Sequence, residues 1–157
     1  MGRGVALIMD KIRKAEPKDL TRIAEIMVAN FRLYFYPFFL NDDYYFGELQ
    51  VPAVVRRFED LLDSIWVYDD GVAKGFLYMD GTEIQKLYVE PILHSKGIGE
   101  QLLQFAVEQC GADHLWALEL NKRAIAFYQR HGFRLTEERK PEDDTDKMLI
   151  LLRKAEG

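Results

Sequence analysis

Cysteine is almost missing from this chain: Cys110 is the only one in 157 residues. No internal disulfide can form, and a reducing compartment, the cytoplasm, is the expected setting. Cys110 falls at the end of a helical pattern and reads as a small packing residue rather than a nucleophile. Histidine is nearly as scarce. His94, His114 and His131 lack metal-ligand spacing, so no metal is expected. Positive charge is in deficit: 21 Lys and Arg stand against 26 Asp and Glu, a net charge of −5. Without a basic stripe interleaved with aromatics, nucleic acid is not an expected partner. No apolar run is long enough to span a membrane, so no membrane partner is expected either. The apolar run in residues 1–9 is too short for a secretory signal. Gly2 has Ala6 where a myristoylation site needs serine or threonine. Met1 and Met9 both stand as candidate starts; residues 1–8 are read as an N-terminal extension and residues 9–157 as one domain.

What is present is ordinary globular chemistry. Hydrophobic residues make up 48% and charged residues 30%, in a length that suits a single domain. Residues 11–15 read as a first strand. Pro17-Lys18-Asp19 breaks it, and Leu20, Ile23, Ala24, Ile26 and Met27 recur at helical spacing to about Phe31. Residues 33–46 crowd eight aromatics around Pro37 and Asn41-Asp42-Asp43, read as core packing under a loop with a few rings free to line a pocket. A second helix follows Pro52. Three strands then come in a meander, 65–68, 72–79 and 82–89, joined at Asp70-Gly71 and Asp80-Gly81, because Asp-Gly tolerates the positive φ of a tight hairpin. A helix over 97–110 ends at Gly111, a strand follows over 114–120, and a helix capped by Asn121 ends at His131 with Gly132 as its stop. The last strands cover 133–138 and 147–152, with a charged loop over 139–146. The order is βααβββαβαββ. It predicts an α/β fold: a mixed, strongly twisted sheet with helices on both faces.

Two motifs stand out from this frame. The first is His94-Ser95-Lys96-Gly97-Ile98-Gly99, a glycine pair opening a helix directly after a strand. The first amides of a helix have no intrahelical partner, and the helix dipole favours negative charge there, so such a start suits a phosphate. It is not a Walker loop, since no Gly-Lys-Ser/Thr follows, and Leu102 occupies the third glycine of a dinucleotide fingerprint. By itself the pair also fits an ordinary helix start. The second motif runs from Asn121 to Phe133, with Ala124, Phe127, Tyr128, Gly132 and Phe133 at fixed spacing.

The order of elements and these two motifs resemble the GNAT superfamily of acetyl-CoA-dependent N-acetyltransferases. The Asn-x-x-Ala-x-x-Phe-Tyr-x-x-x-Gly-Phe pattern is intact, while His94 replaces the usual Gln or Arg at the head of the cofactor loop. The resemblance implies acetyl-CoA as co-substrate, its pantetheine arm held in a gap between the fourth and fifth strands. Leu87, Tyr88 and Val89 would supply strand backbone groups. Lys96, Gly97, Ile98, Gly99 and Glu100 would wrap the pyrophosphate, with Asn121, Ala124 and Phe127 completing the cofactor groove. Tyr128 would be the acid toward the leaving sulfur. Its hydroxyl, with a reference pKa of about 10 against about 8.5 for a thiol, stays protonated. Glu83 is the candidate base, read as sharing a strand face with Gln85 and Leu87; a water chain is the alternative. An amide at Leu87 or Tyr88 would hold the developing oxyanion.

The acceptor implied is a primary amine. Asp42, Asp43, Asp143 and Asp144, with the nearby aromatics, suggest a small cationic, polyamine-like molecule. A protein N-terminus or lysine is the runner-up, and a non-catalytic acyl-CoA-binding module is the alternative of another class. Exposed sheet edges leave room for a homodimer.

Overall fold

The computed structural model describes residues 11–156. The expected extension and both candidate starts lie outside the described residues. Seven strands form one sheet: β1 Ile12–Lys14, β2 Ile65–Asp69, β3 Ala73–Asp80, β4 Glu83–Val89, β5 His114–Leu118, β6 Phe133–Pro141 and β7 Met148–Lys154. Their spatial order is β1-β2-β3-β4-β5-β7-β6. Every neighbouring pair is antiparallel except β4 and β5, which are parallel. The Asp-Gly turns fall where the sequence placed them, with Gly81 at φ +60° closing the β3–β4 hairpin.

Four helices cover the sheet: α1 Leu20–Tyr34, α2 Val51–Phe58, α3 Ile98–Cys110 and α4 Lys122–Arg130. The apolar stripe of α1 (Ile23, Ala24, Ile26, Met27) packs with Val54 and Phe58 of α2 on Val67 and Phe76. On the opposite side, Ile98, Leu102, Leu103 and Ala106 of α3 join Leu77, Ile84, Leu115, Ile125 and Phe133 in a second buried cluster. The expected mixed sheet with helices on both faces is the observed one.

Two boundaries differ from expectation. Residues 33–46 are not a loop: they hold a helical turn at Tyr36–Phe39 and a π-helical turn at Asp43–Glu48. Ring-on-ring contacts stabilise these turns, with Tyr45 edge-on to both Tyr36 and Tyr44. The charged loop is also shorter than the sequence suggested. Arg139, Lys140 and Pro141 continue β6 by pairing with Ile150, Leu149 and Met148 after a break in register, which leaves residues 142–147 as the turn.

Gly75 on β3 shows how tightly α3 sits on the sheet. A Cβ there would lie 3.0 Å from Leu102 Cδ1, 3.1 Å from the Tyr88 carbonyl oxygen and 3.3 Å from Ile98 Cγ2. Crowding of this kind costs about 1–3 kcal/mol, more than the roughly 0.4–1 kcal/mol returned by stiffening the unfolded chain. Gly75→Ala is therefore expected to lower the urea midpoint of unfolding; an unchanged or raised midpoint would mean that α3 slides aside freely.

Candidate functional site

The site is built where β4 parts from β5. Only Glu83–His114 and Ile84–Leu115 are in register between them; beyond that the two strands diverge. The β3–β4 pairing then fixes which groups look into the gap. Glu90 N–H donates to the Lys74 carbonyl at 2.9 Å. The register runs Gly75–Val89, Phe76–Tyr88 and Leu77–Leu87. In an antiparallel ladder the hydrogen-bonded pairs alternate, so Glu90 and Tyr88 turn their backbone groups to β3, and Leu87 and Val89 turn theirs toward the gap. This corrects the reading of Tyr88 as a backbone donor to a ligand. It also leaves Leu87 as the amide that faces the gap. The Val89 carbonyl is already engaged by Asn30 Nδ2 at 2.9 Å and His94 Nε2 at 3.0 Å.

A bulge corrects a second expectation. The register shifts between Tyr78 and Met79, so that Tyr78 opposes Lys86 while Met79 opposes Ile84, and Gln85 is the extra residue. Alternation fails across it. Ile84, Leu87 and Val89 pack into the α3 cluster, whereas Tyr88 packs with the α1 cluster. Glu83 therefore does not share a face with Leu87; it falls on the side of Lys86 and Tyr88. Its carboxylate accepts a hydrogen bond from Gln85 Nε2 at 2.8 Å and lies 3.5 Å from His114 Nε2.

At the mouth of the gap, Gly97 adopts φ +86° as the residue before α3, and no side chain caps that helix. The first intrahelical bond is Gln101 N–H to the Gly97 carbonyl at 3.1 Å, which leaves the amides of Ile98, Gly99 and Glu100 without intrahelical partners. Thirteen residues of helix lie behind them. The fit to a phosphate group is good on two counts: unpaired amides converge at a helix start, and the left-handed Gly97 opens the backbone toward it. The Lys96 and Glu100 side chains are exposed.

His94 anchors this loop. Because a carbonyl only accepts, the ring must donate from Nε2 to Val89, leaving Nδ1 as an acceptor. The Tyr34 hydroxyl donates to Nδ1 at 3.1 Å, and Arg123 also donates there. Arg123 further stacks over the Tyr34 ring at 4.6 Å. Burial lowers the His94 pKa, opposed by the Val89 hydrogen bond and reinforced by Arg123, so the ring is held neutral.

The second motif forms the other wall. Asn121 Oδ1 caps α4 by accepting from Ala124 N–H at 3.2 Å, as its position in the sequence suggested. Its side-chain nitrogen has no hydrogen bond among the described residues. Phe127 stands beside the start of α3: a Cβ on Gly99 would lie 3.5 Å from its ring. Tyr128 is 8% exposed and packs edge-on against Phe127 and Phe133. Its hydroxyl has no hydrogen-bond partner among the described residues, yet it is not sealed off. Burial pushes its pKa well above the ordinary phenol value.

Tyr88 links the two halves. Its side chain packs edge-on to Phe31 and against Phe76. Burial drives its pKa upward, with Tyr128, Glu142, Tyr45 and Tyr44 adding to the effect. Tyr45 is raised to about 12 by burial, then Tyr44 and Glu142. The carboxylate whose charge is felt at Tyr45, Tyr88 and Lys86 is Glu142, half-buried at the β6–β7 turn. Its carbonyl accepts from Thr145 and its N–H donates to Lys147, which fixes its backbone. The four expected aspartates do not converge there. Asp42 accepts from the Tyr36 hydroxyl at 2.6 Å, and Asp42, Asp43, Asp143 and Asp144 are all exposed. Glu142 and Lys86 were not singled out by sequence reasoning, because a turn residue's direction and a bulge's register are set by the assembled sheet.

Comparison with known proteins matches residues 62–135 to the acetyltransferase (GNAT) domain. This stretch of the chain is similar to the GNAT superfamily. Peptidyl-lysine N-acetyltransferase YjaB of Salmonella typhimurium is 30% identical over 90 residues, 56% of this chain and 61% of that protein. Peptidyl-lysine N-acetyltransferase YiaC of Escherichia coli is 32% identical over 74 residues, 46% of this chain and 51% of that one. The chain thus matches 51–61% of the length of these curated relatives. In fold, it is similar to the solution structure of apo-form YjaB from Escherichia coli, with a TM-score of 0.72, 23% identity, and 91% and 95% of the two chains covered. It also resembles the PaiA N-acetyltransferase of Thermoplasma acidophilum in complex with coenzyme A, with a TM-score of 0.66, 22% identity, and 91% and 97% covered. As in these GNAT folds, the sheet is mixed and helix-covered.

The half-buried neutral His94 makes this loop sensitive to acid. Its folded pKa lies below the unfolded value near 6.5. The unfolded chain therefore binds the proton first as pH falls. The stability associated with the neutral ring is complete above about 6.5 and is lost as pH drops from there through the lowered folded value. His94→Asn should flatten the fall of melting temperature between neutral and mildly acidic pH. Parallel curves for the two proteins would assign the acid sensitivity elsewhere.

Proposed function

We propose that this chain is an N-acetyltransferase that moves the acetyl group of acetyl-CoA to a primary amine in a ternary complex. The observation that carries the reading is the diverging β4–β5 pair, with the Leu87 backbone groups and the Val89 N–H facing the gap and unpaired helix-start amides at its mouth. An extended pantetheine arm suits strand backbone of this kind, and a pyrophosphate suits the amides of Ile98, Gly99 and Glu100. Asn121 would offer its free side-chain nitrogen, and Phe127 would wall the groove.

The chemistry follows from charge movement. The amine nitrogen attacks the thioester carbon, a C–N bond forms, and the C–S bond breaks. Charge grows first on the carbonyl oxygen, where the Leu87 N–H is the donor aimed into the gap. The departing thiolate accepts a hydrogen bond from Tyr128, whose raised pKa keeps it protonated throughout the working range, and the proton shed by the amine ends on the sulfur. Before attack the amine must lose a proton. Glu83, on the same face of β4 as Tyr88, is the proposed base, directly or through water. The Glu142 carboxylate draws the ammonium form toward the aromatic chamber.

A polyamine-like acceptor rests on that carboxylate and its aromatic surround. A lysine side chain of a protein is the second reading, favoured by relatives that carry the name peptidyl-lysine N-acetyltransferase. Thiol release from acetyl-CoA against amines and lysine peptides tests both. Tyr128→Phe should lower kcat by at least about tenfold, within the range of about 10² to 10⁴ for a lost acid at the upper end, with acetyl-CoA affinity little changed. Tight acetyl-CoA binding without turnover by any acceptor would instead support a non-catalytic acyl-CoA-binding module.

A further inference from the structure

Two cations in the acceptor half of the site have no counter-ion. Lys86 lies on β4, two residues before Tyr88 and on the same face. Arg57 is in the last turn of α2. Phe58, next to Arg57, packs against Tyr78 at 6.1 Å, and Tyr78 is the cross-strand partner of Lys86. The end of α2 therefore sits over this part of the strand. Neither Lys86 nor Arg57 makes a hydrogen bond or ion pair among the described residues. The Lys86 ammonium has instead the face of Phe31, 5.5 Å from the ring centre.

Arg57 is exposed, so the cost of lacking a counter-ion falls on Lys86. Lys86 is half-buried, and the favourable effect of Glu142 on its charge is smaller than the opposing effects of burial and Arg57. The half-buried Lys74, by contrast, meets a carboxylate, Asp70, at 2.7 Å. A partly desolvated ammonium on an aromatic face, with an exposed arginine at the nearby end of α2, is a receptor for an anion. Its place on the strand sets the reach. Alternate residues on one face of a strand are about 6–7 Å apart, so a group held at Lys86 lies within a short side chain's length of an amine near Tyr88.

We propose that Lys86, aided by Arg57, binds a carboxylate of the acceptor, so that the molecule acetylated carries an amine and a nearby carboxylate. This rests on the acetyltransferase reading and replaces its polyamine-like acceptor with one that carries both charges. The amine is drawn by Glu142, and the carboxylate pairs with the two cations at the other end of the chamber. A polyamine, positive along its length, meets repulsion from both. Two sources present the required chemistry: a free amino acid, or a peptide lysine flanked by an acidic residue.

Matched acceptors decide it. The wild-type protein, Lys86→Met and Arg57→Gln are each given an amino acid and its amide, and a lysine peptide with glutamate beside the lysine and its glutamine counterpart. In the wild type, kcat/KM should favour the carboxylate member of at least one pair by about tenfold or more, the scale of a charge-assisted hydrogen bond. Lys86→Met should collapse that ratio mainly through KM, and Arg57→Gln should reduce it partly. Which pair shows the preference identifies the source. Equal or better use of the uncharged members, or an unchanged ratio in Lys86→Met, overturns the proposal while leaving the acetyltransferase reading intact. Absence of thiol release with every amine overturns that reading instead. In that event equilibrium binding of an N-acetyl amino acid and its amide, measured by calorimetry, reads the same cations without turnover. Equal binding or none would then reject the carboxylate site.

Discussion

β4 and β5 share only two residues of register before they part, and nearly everything else about the site depends on that parting. Backbone N–H and C=O groups that leave a ladder must find another partner or water. On β4 the ladder with β3 continues through Tyr88 and Glu90, so the groups left over are those of Leu87 and the Val89 N–H. The same divergence separates the start of α3 from the start of α4, placing unpaired helix amides at the open end and Tyr128 along one wall. A strand-like ligand arm with an anionic head meets complementary groups over its whole length. No single residue provides this complementarity, which is why substituting the exposed Lys96 or Glu100 side chains bears on it less than the path of the backbone does.

The bulge at Gln85 is the second constraint, and it works with the first. Without it, the leucine and valine that bury against α3 would be out of phase with Ile84, and one of the two segments of β4 would turn its apolar side outward. With the extra residue both segments bury correctly. The consequence is chemical as well as structural: Glu83 comes onto the face that carries Lys86 and Tyr88. A carboxylate, an ammonium and a phenol are thereby presented together toward α1, α2 and the β6–β7 turn, while the apolar side of the strand remains with α3.

Much of this was legible in the sequence and some of it was not, for identifiable reasons. The Asp-Gly turns, the glycine pair before α3 and the Asn121 cap are local signals: the conformation each needs is decided by a few adjacent residues, and the structure has them where expected. The face assigned to Glu83 assumed unbroken alternation, whereas a bulge is a property of two paired strands and leaves no mark on one of them. The aspartates at 42, 43, 143 and 144 were chosen by charge and proximity in sequence. Glu142, one residue earlier, is half-buried where those four are exposed, because β6 runs three residues further than its sequence pattern suggests and carries the turn with it. Lys86 was hidden by its neighbours, since a lysine in a strand usually reads as a solvated edge.

The electrostatics of the two ends of the site differ in a way that bears on specificity. At the start of α3 the charge is backbone dipole together with Arg123, and the histidine between them is kept neutral at neutral pH. At the acceptor end the groups are full charges of both signs set among Phe31, Tyr44, Tyr45 and Tyr88. Aromatic walls exclude water, which strengthens each charge's interaction with a ligand and raises the cost of leaving it unpaired. A ligand with one charge satisfies part of such a chamber and leaves the rest uncompensated; a ligand with an amine and a carboxylate compensates both Glu142 and the Lys86–Arg57 pair. Discrimination then comes from the groups a wrong acceptor would leave unpaired, which is a larger effect than the attraction gained from any one contact with the right one.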